Sequence, residues 1–319
     1  MNQVNENKKL AGIIQSARMS CFYPELMDTG LDGVELYNRQ LGRGQFTGEL
    51  FRASLGSAVL DSGNYNHVPI SCEGTLGKRV FFGLELTPTG CIQLNGEQLR
   101  ETTVGVYQEN KEFFCRLGGQ CCSWLTFQVT KDDLAGSGCI LPHDHFSLIQ
   151  INHRFKKQLV NELTQLLRVM HNTENPASCS LDLKMVKDHL ISLFSLTLDS
   201  TDNQKKLHNA ECLRIARQVT EYMEAHQDRR ITMMQLSRLS GKSERTLRKI
   251  FNRIYGVSPR AFLTIHRLNG VNRELLRSTP RQTNVENIAL EYGFLHLGRF
   301  SAAYKKHFGE YPSETLAKE

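Results

Sequence analysis

The chain has 319 residues, 40% of them hydrophobic and 23% charged, with a formal net charge of +6. That length accommodates two domains with real cores, and the composition excludes wholesale disorder. The charge is uneven: 19 Lys and Arg stand against 11 Asp and Glu from Glu211 to Glu319, and 20 against 22 before that, so only the C-terminal part faces an anionic partner.

Met1 to Lys9 is polar and Asn-rich, with no apolar run behind it, so no signal peptide is expected. No stretch of 18 apolar residues occurs, so no membrane partner is expected and the protein is read as cytoplasmic. Residues 30–130 are rich in Gly, Thr, Val and Phe. The predicted strands are Val34–Gln40, Phe46–Ser54, Ala58–Asp61, Val68–Ser71, Arg79–Leu86, Gly90–Leu94, Thr103–Tyr107, Glu112–Arg116 and Trp124–Val129. Asn95-Gly96 is a strong hairpin signal. Many short strands at this spacing indicate a small barrel or sandwich, so residues 1–150 are read as a β-rich domain. The Gly-rich stretch around Arg43 to Gly48 lacks the Gly-Lys-Ser/Thr ending of a phosphate loop. Trp124, Phe81, Phe82 and Tyr107 are strand aromatics, placed either in the core or on a ligand pocket.

Nine cysteines lie at 21, 72, 91, 115, 121, 122, 139, 179 and 212. The number is odd and no C-x-x-C pair occurs, so reduced core thiols are expected, with no metal site and no cofactor. Cys115, Cys121 and Cys122 form the one cluster of redox or metal interest. His143-Asp144-His145 lacks a third ligand beside it and reads as a surface turn.

From 153 to 171 the period becomes helical, with Phe155, Leu159, Leu163, Leu166, Leu167 and Met170 on one stripe. Asn175-Pro176 breaks the run, and Leu183, Val186, Leu190, Leu193 and Phe194 mark a second helix. This pair, residues 151–198, packs on the barrel or forms a homodimer through 153–198; the pattern allows both. Residues 199–209 are polar and read as a linker.

Residues 210–319 contain an internal repeat. Leu236, Ser240-Gly241, Leu247, Phe251, Gly256 and Pro259 correspond to Ile288, Tyr292-Gly293, Phe300, Tyr304, Gly309 and Pro312 at an offset of 52 or 53. Two copies in register imply a duplicated helical unit. Each reads as a helix, a turn at Gly and a second helix with basic residues outside, the pattern of a helix-turn-helix. In the first unit Ser243 caps a helix to about Tyr255, leaving Arg245, Arg248, Lys249 and Arg253 outside. A long helix from Ser258 to about Ser278 joins the units. In the second, a helix from about His296 to Phe308 presents Arg299, Ser301, Lys305 and Lys306. Arginine can reach guanine edges with two hydrogen bonds, whereas lysine mostly serves phosphates. Ser243, Arg245, Arg248, Lys249, Arg253, His296, Arg299, Ser301, Lys305 and Lys306 are therefore the expected contacts to double-stranded DNA. No catalytic constellation is assigned.

Gly293-Phe294, His296-Leu297-Gly298-Arg299-Phe300, Tyr304, Phe308-Gly309 and Pro312-Ser313-Glu314-Thr315-Leu316, with Gly256-Val257-Ser258-Pro259 in the first unit, resemble the AraC/XylS family of bacterial transcription regulators. The resemblance covers about residues 211–317. It implies an α+β chain: a cupin-like barrel that senses a small-molecule effector, a helical pair that dimerises, and an all-α domain of two helix-turn-helix units. It further implies that two recognition helices enter successive major grooves about 34 Å apart, beside RNA polymerase, in the bacterial nucleoid. Gly298 and Ala302 fall at reading positions yet lack side-chain donors, so the second helix, with Arg299 its best base reader, reads few bases directly and leans on phosphates or DNA shape. Two other readings compete: an Ada-type DNA-repair methyl acceptor, which needs four paired cysteines, and an effector-independent DNA-binding regulator.

Overall fold

A computed structural model describes residues 15–27, 35–87, 90–137, 141–142, 144–172, 183–199, 209–226 and 231–318. His143 and most of the expected linker lie outside them. Twelve strands occur among the described residues: β1 (Gln15–Cys21), β2 (Glu35–Gln40), β3 (Gly48–Leu55), β4 (Ala58–Tyr65), β5 (Ile70–Thr75), β6 (Val80–Glu85), β7 (Ile92–Leu94), β8 (Glu97–Gln98), β9 (Thr103–Tyr107), β10 (Glu112–Leu117), β11 (Cys122–Val129) and β12 (Phe146–Gln150). They form two antiparallel sheets, ordered β1-β3-β4-β11-β6-β9-β12 and β2-β5-β10-β7-β8. The expected hairpin joins β7 to β8 across Asn95-Gly96.

Strands β1 and β12 were not expected. The first is polar (Gln-Ser-Ala-Arg-Met-Ser-Cys) and sits at a sheet edge, where no apolar alternation announces it. In β12 the residues 146–149 are all buried, so its apolar run lacks a period of two. The predicted strand at 68–71 is displaced: Val68 and Pro69 precede β5, and Pro69 accepts hydrogen bonds from the Leu41 and Gly42 amides.

The seven-stranded sheet is covered by α2 (His153–Asn172) and α3 (Leu183–Asp199), which follow the short helix α1 (Lys131–Ala135). Leu159, Leu163, Leu167 and Met170 of α2 join Val186, Leu190, Phe194 and Leu198 of α3 in one core with Phe82 and Phe127. The Phe194 ring lies 5.0 Å from Phe82 and 5.2 Å from Phe127. The apolar stripes of the helical pair thus pack on the barrel of their own chain. Each such side chain contributes about 1.5–3 kcal/mol of burial.

A second core fills the space between the sheets, around Phe46, Tyr65, Ile70, Leu94, Tyr107 and Phe146. It leaves an apolar cavity of about 90 Å³ whose walls include Phe81, Trp124, Leu36, Leu50, Phe113 and Ile92. The aromatics therefore divide. Phe81 and Trp124 line the cavity, Phe82 faces the helices, and Tyr107 is wholly buried in the core.

The remaining helices are α4 (Ala210–Ala225), α5 (Met233–Ser240), α6 (Glu244–Ile254), α7 (Pro259–Arg277), α8 (Val285–Glu291), α9 (Leu297–Phe308) and α10 (Pro312–Leu316). Their two cores match the two repeats: Leu213, Val219, Leu236, Leu247, Phe251 and Phe262 in the first, and Leu268, Val271, Ile288, Phe300, Tyr304 and Phe308 in the second. Leu41 and Phe114 of the β-rich part enter the first of these cores, and Phe114 meets the Tyr255 ring edge-on at 5.4 Å.

Candidate nucleic-acid interface

Local chemistry sets the entry to each unit. Thr232 caps α5 in a reciprocal box with Gln235, and Gly241 turns the chain at φ +63°. A side chain rarely adopts that left-handed conformation, so the turn selects glycine. The Ser243 hydroxyl then accepts from the Thr246 amide at 3.2 Å and opens α6. The second unit repeats the scheme: Asn284 caps α8 through the Asn287 amide at 2.8 Å, and Gly293 turns at φ +77°.

Helix α6 buries Leu247, Ile250, Phe251 and Ile254. Arg245, Arg248, Lys249 and Arg253 are exposed on the other side, as expected. Asn252, which sequence reasoning passed over, is exposed there too. Its step of four from Arg248 places an amide on the same face, and that spacing was the missed signal. Ser243 is already engaged as the helix cap, so its hydroxyl has a structural duty at the mouth of the interface.

Helix α9 buries Phe300, Tyr304, His307 and Phe308 and begins at Leu297, one residue later than expected. His296 is exposed and makes no capping hydrogen bond through its side chain. Arg299, Lys305 and Lys306 are exposed, whereas Ser301 is half-buried rather than outward. Lys305 lies 3.8 Å over the Tyr311 ring, a contact that steadies a long side chain beside the closing helix α10. Nothing lies within 4 Å of where a Cβ at Gly298 would stand. The N-terminal end of α9 is therefore open to close approach.

The two units are held at a fixed angle by α7. Asn272 donates to the Tyr304 hydroxyl at 2.7 Å, and that hydroxyl donates to Thr315 at 2.9 Å. Gly270 packs directly under Tyr292, where an added Cβ would meet the ring at 2.2 Å. That approach ties α7 to the turn before α9.

The β-rich part reaches the C-terminal ends of both basic helices. An added Cβ on Gly96 would stand 2.7 Å from Ile254 at the end of α6. Gln40 donates to the His307 carbonyl at 2.6 Å, and Gly44 donates to the same carbonyl at 2.9 Å. Asn269 of α7 pairs with the Gln40 backbone through two hydrogen bonds of 2.9 Å. Beside them Arg39 is fully buried, 2.9 Å from Glu73 and 2.8 Å from Glu224 of α4. Burial opposes its charge, yet the two carboxylates hold the guanidinium even more firmly ionised than usual. Burial lifts the Glu224 carboxyl above its ordinary range, against the pull of Arg39. His266 is pushed down to about 3 by burial and by Arg39, Arg273 and Arg267. Glu224, 4.0 Å from its ring, does not offset them. Burial likewise pushes His307 down to about 4.

Two exposed basic helices, each set on a helix-turn-helix and braced by α7, define a double helix-turn-helix DNA-binding domain of the AraC type. Residues 236–318 match the helix-turn-helix domain family. The chain is similar to the probable thc operon regulatory protein of Rhodococcus erythropolis, 40% identical over 102 residues, which are 32% of this chain and 31% of that protein. It is 36% identical over 99 residues to the XylDLEGF operon transcriptional activator 2 of Pseudomonas putida, 31% of this chain and 63% of the relative. The chain thus spans less than two thirds of the length of either relative. Among solved structures, a probable AraC family transcriptional regulator from Rhodopseudomonas palustris CGA009 is 44% identical over 32% of this chain and 94% of its own, with a TM-score of 0.30.

Proposed function

We propose that the whole chain is a sequence-specific, non-enzymatic transcription regulator whose helices α6 and α9 enter successive major grooves of one duplex. The observation that carries the reading is the pair of exposed basic faces: Arg245, Arg248, Lys249 and Arg253 on α6, and Arg299, Lys305 and Lys306 on α9. Arg248 and Arg299 read bases; the lysines, with His296 and the helix mouth at Ser243, hold phosphates. RNA polymerase is the further partner that such a regulator needs. The similarity of the matched third to operon regulators supports the assignment.

Control by a small-molecule effector rests on the apolar cavity between the sheets. At about 90 Å³ it is well below the roughly 300–1,000 Å³ of ordinary ligand pockets. An effector of metabolite size must therefore displace side chains on entry. Homodimerisation through residues 153–198 is supported by the exposed Met185 and Leu196 on α3, at 69% and 53%. The Ada-type alternative draws no support, since no four-thiol cluster occurs among the described residues.

Selection of duplexes from a random pool by the full chain tests the reading. Enriched sequences should carry two protected segments about 10–10.5 base pairs apart. Binding that ignores sequence, or protection of a single segment, overturns it.

A further inference from the structure

Three potential metal ligands converge at one end of the barrel, far apart in sequence. Glu85 closes β6, Cys122 opens β11, and Cys91 stands just before β7. Their ligand atoms all lie within 4.8 Å of one another. The expected grouping of Cys115, Cys121 and Cys122 is thereby corrected: Cys121 is exposed, and the partner of the buried Cys122 is Cys91. Strand pairing explains the convergence. Trp124 sits opposite Glu85 in the β6–β11 register, which places Cys122 one step further along the same face. The Gly118 amide donates to the Cys91 carbonyl at 3.2 Å and brings in the second sheet.

We propose that Glu85, Cys91 and Cys122 bind one thiophilic divalent cation of the zinc class. Sulfur and carboxylate oxygen are the ligands such a borderline ion takes. With metal–sulfur bonds of about 2.3 Å, a tetrahedral site spaces its donors by roughly 3.8 Å. A cluster already within 4.8 Å needs about an ångström of closure. The carboxylate is held in place: it accepts from the Gly90 and Cys91 amides, each at 3.3 Å, and lies 3.4 Å from the Cys91 sulfur.

Charge also balances. On binding, each thiol loses its proton to solvent as its sulfur–metal bond forms. Two thiolates and one carboxylate then face a dication and the buried ammonium of Lys156, which lies close enough to feel Glu85. The net charge is zero. Cys91 is half-buried and offers the entry path, and the fourth position is left to water or an exchangeable ligand. Because β6 and β11 belong to one sheet and Cys91 leads into the other, the ion would clamp the two sheets beside the cavity.

The test is titration of the reduced full chain with Co²⁺, followed by displacement with Zn²⁺. A sulfur-to-cobalt charge-transfer band should saturate at one ion per chain, quench the sole tryptophan, Trp124, and vanish on adding Zn²⁺. Cys91→Ser and Glu85→Gln, which leave the buried Cys122 in place, should abolish the band or weaken binding at least about tenfold. Cys121→Ser should leave it unchanged. An absent band, a band that forms with undiminished affinity in Cys91→Ser, or one lost with Cys121→Ser overturns the site. Recovery of an intramolecular Cys91–Cys122 disulfide with no cation binding also overturns it, in favour of a redox pair. Circular dichroism of each variant ensures that a lost band reports ligands rather than unfolding.

Discussion

Replacing Arg39 by methionine should uncouple the barrel from the DNA-binding domain. The guanidinium is wholly buried, while its partners Glu73 and Glu224 retain 18% and 40% side-chain exposure. Breaking a fully buried pair costs about 3–5 kcal/mol, and an exposed pair about 0–1. Glu224 belongs near the lower range and Glu73 nearer the upper. Arg39 also stacks 5.0 Å over Phe262 and 4.9 Å over Tyr37, contacts of about 0.5–1 kcal/mol whose apolar part methionine keeps. The expected loss is therefore about 2–4 kcal/mol. Urea unfolding, followed by Trp124 fluorescence for the barrel and by far-ultraviolet circular dichroism for the helices, measures it. The two transitions should coincide in the native chain and separate in the variant. Because burial already lifts the Glu224 carboxyl above its ordinary range, protonation of that stranded group should shrink the penalty as the pH falls. A loss below about 0.5 kcal/mol with coincident transitions would refute the assignment of Arg39 as the interdomain anchor.

Arg248→Ala should weaken the selected operator by about 1–3 kcal/mol and random DNA by much less. Equal losses on both duplexes in a gel-shift titration would reassign it to a phosphate. Gly270→Ala forces the Tyr292 ring to shift and should cost about 1–3 kcal/mol of stability by overpacking. Operator affinity should fall more than affinity for a single half-site, since the angle between α6 and α9 changes; an unchanged ratio contradicts that geometry. The depressed values of His266 and His307 fix a pH dependence. Both rings are neutral when folded, whereas the unfolded chain takes up protons below about 6.5. Stability is therefore full above that pH and falls on acidification, by up to about 1.4 kcal/mol per unit for each ring until their folded values are reached. Urea midpoints at pH 7, 6 and 5 should decline, and His307→Asn should lessen the slope; a flat profile contradicts the burial of both rings.

The helical domain was readable because every signal in it is local. Caps at Thr232, Ser243, Ser258 and Asn284, and turns at Gly241 and Gly293, announce each helix within a few residues, and the repeat checks them against each other. The exposed basic residues followed from helical period alone, although Asn252 was passed over on the same face and Ser301 proved half-buried. The barrel was legible only as many short strands. Its polar edge strand β1 and its doubly buried strand β12 carry no alternation to read. The Glu85–Cys91–Cys122 convergence depends on strand register, which pairs residues that the sequence separates. The contact between Gln40 and His307 is likewise invisible, because two hydrogen bonds across 267 residues leave no pattern.

One short stretch, from Arg39 to Gly44, touches the linking helix and the tail of the second basic helix. Phe114 and Gly96, from the same sheet, touch the tail of the first. A displacement of that sheet would thus reach both basic helices. On the proposed reading, a sheet movement that changed these contacts unequally would shift the phasing of α6 against α9 along the helical repeat of the duplex, and so retune which spacing of half-sites is accepted instead of dimming either helix.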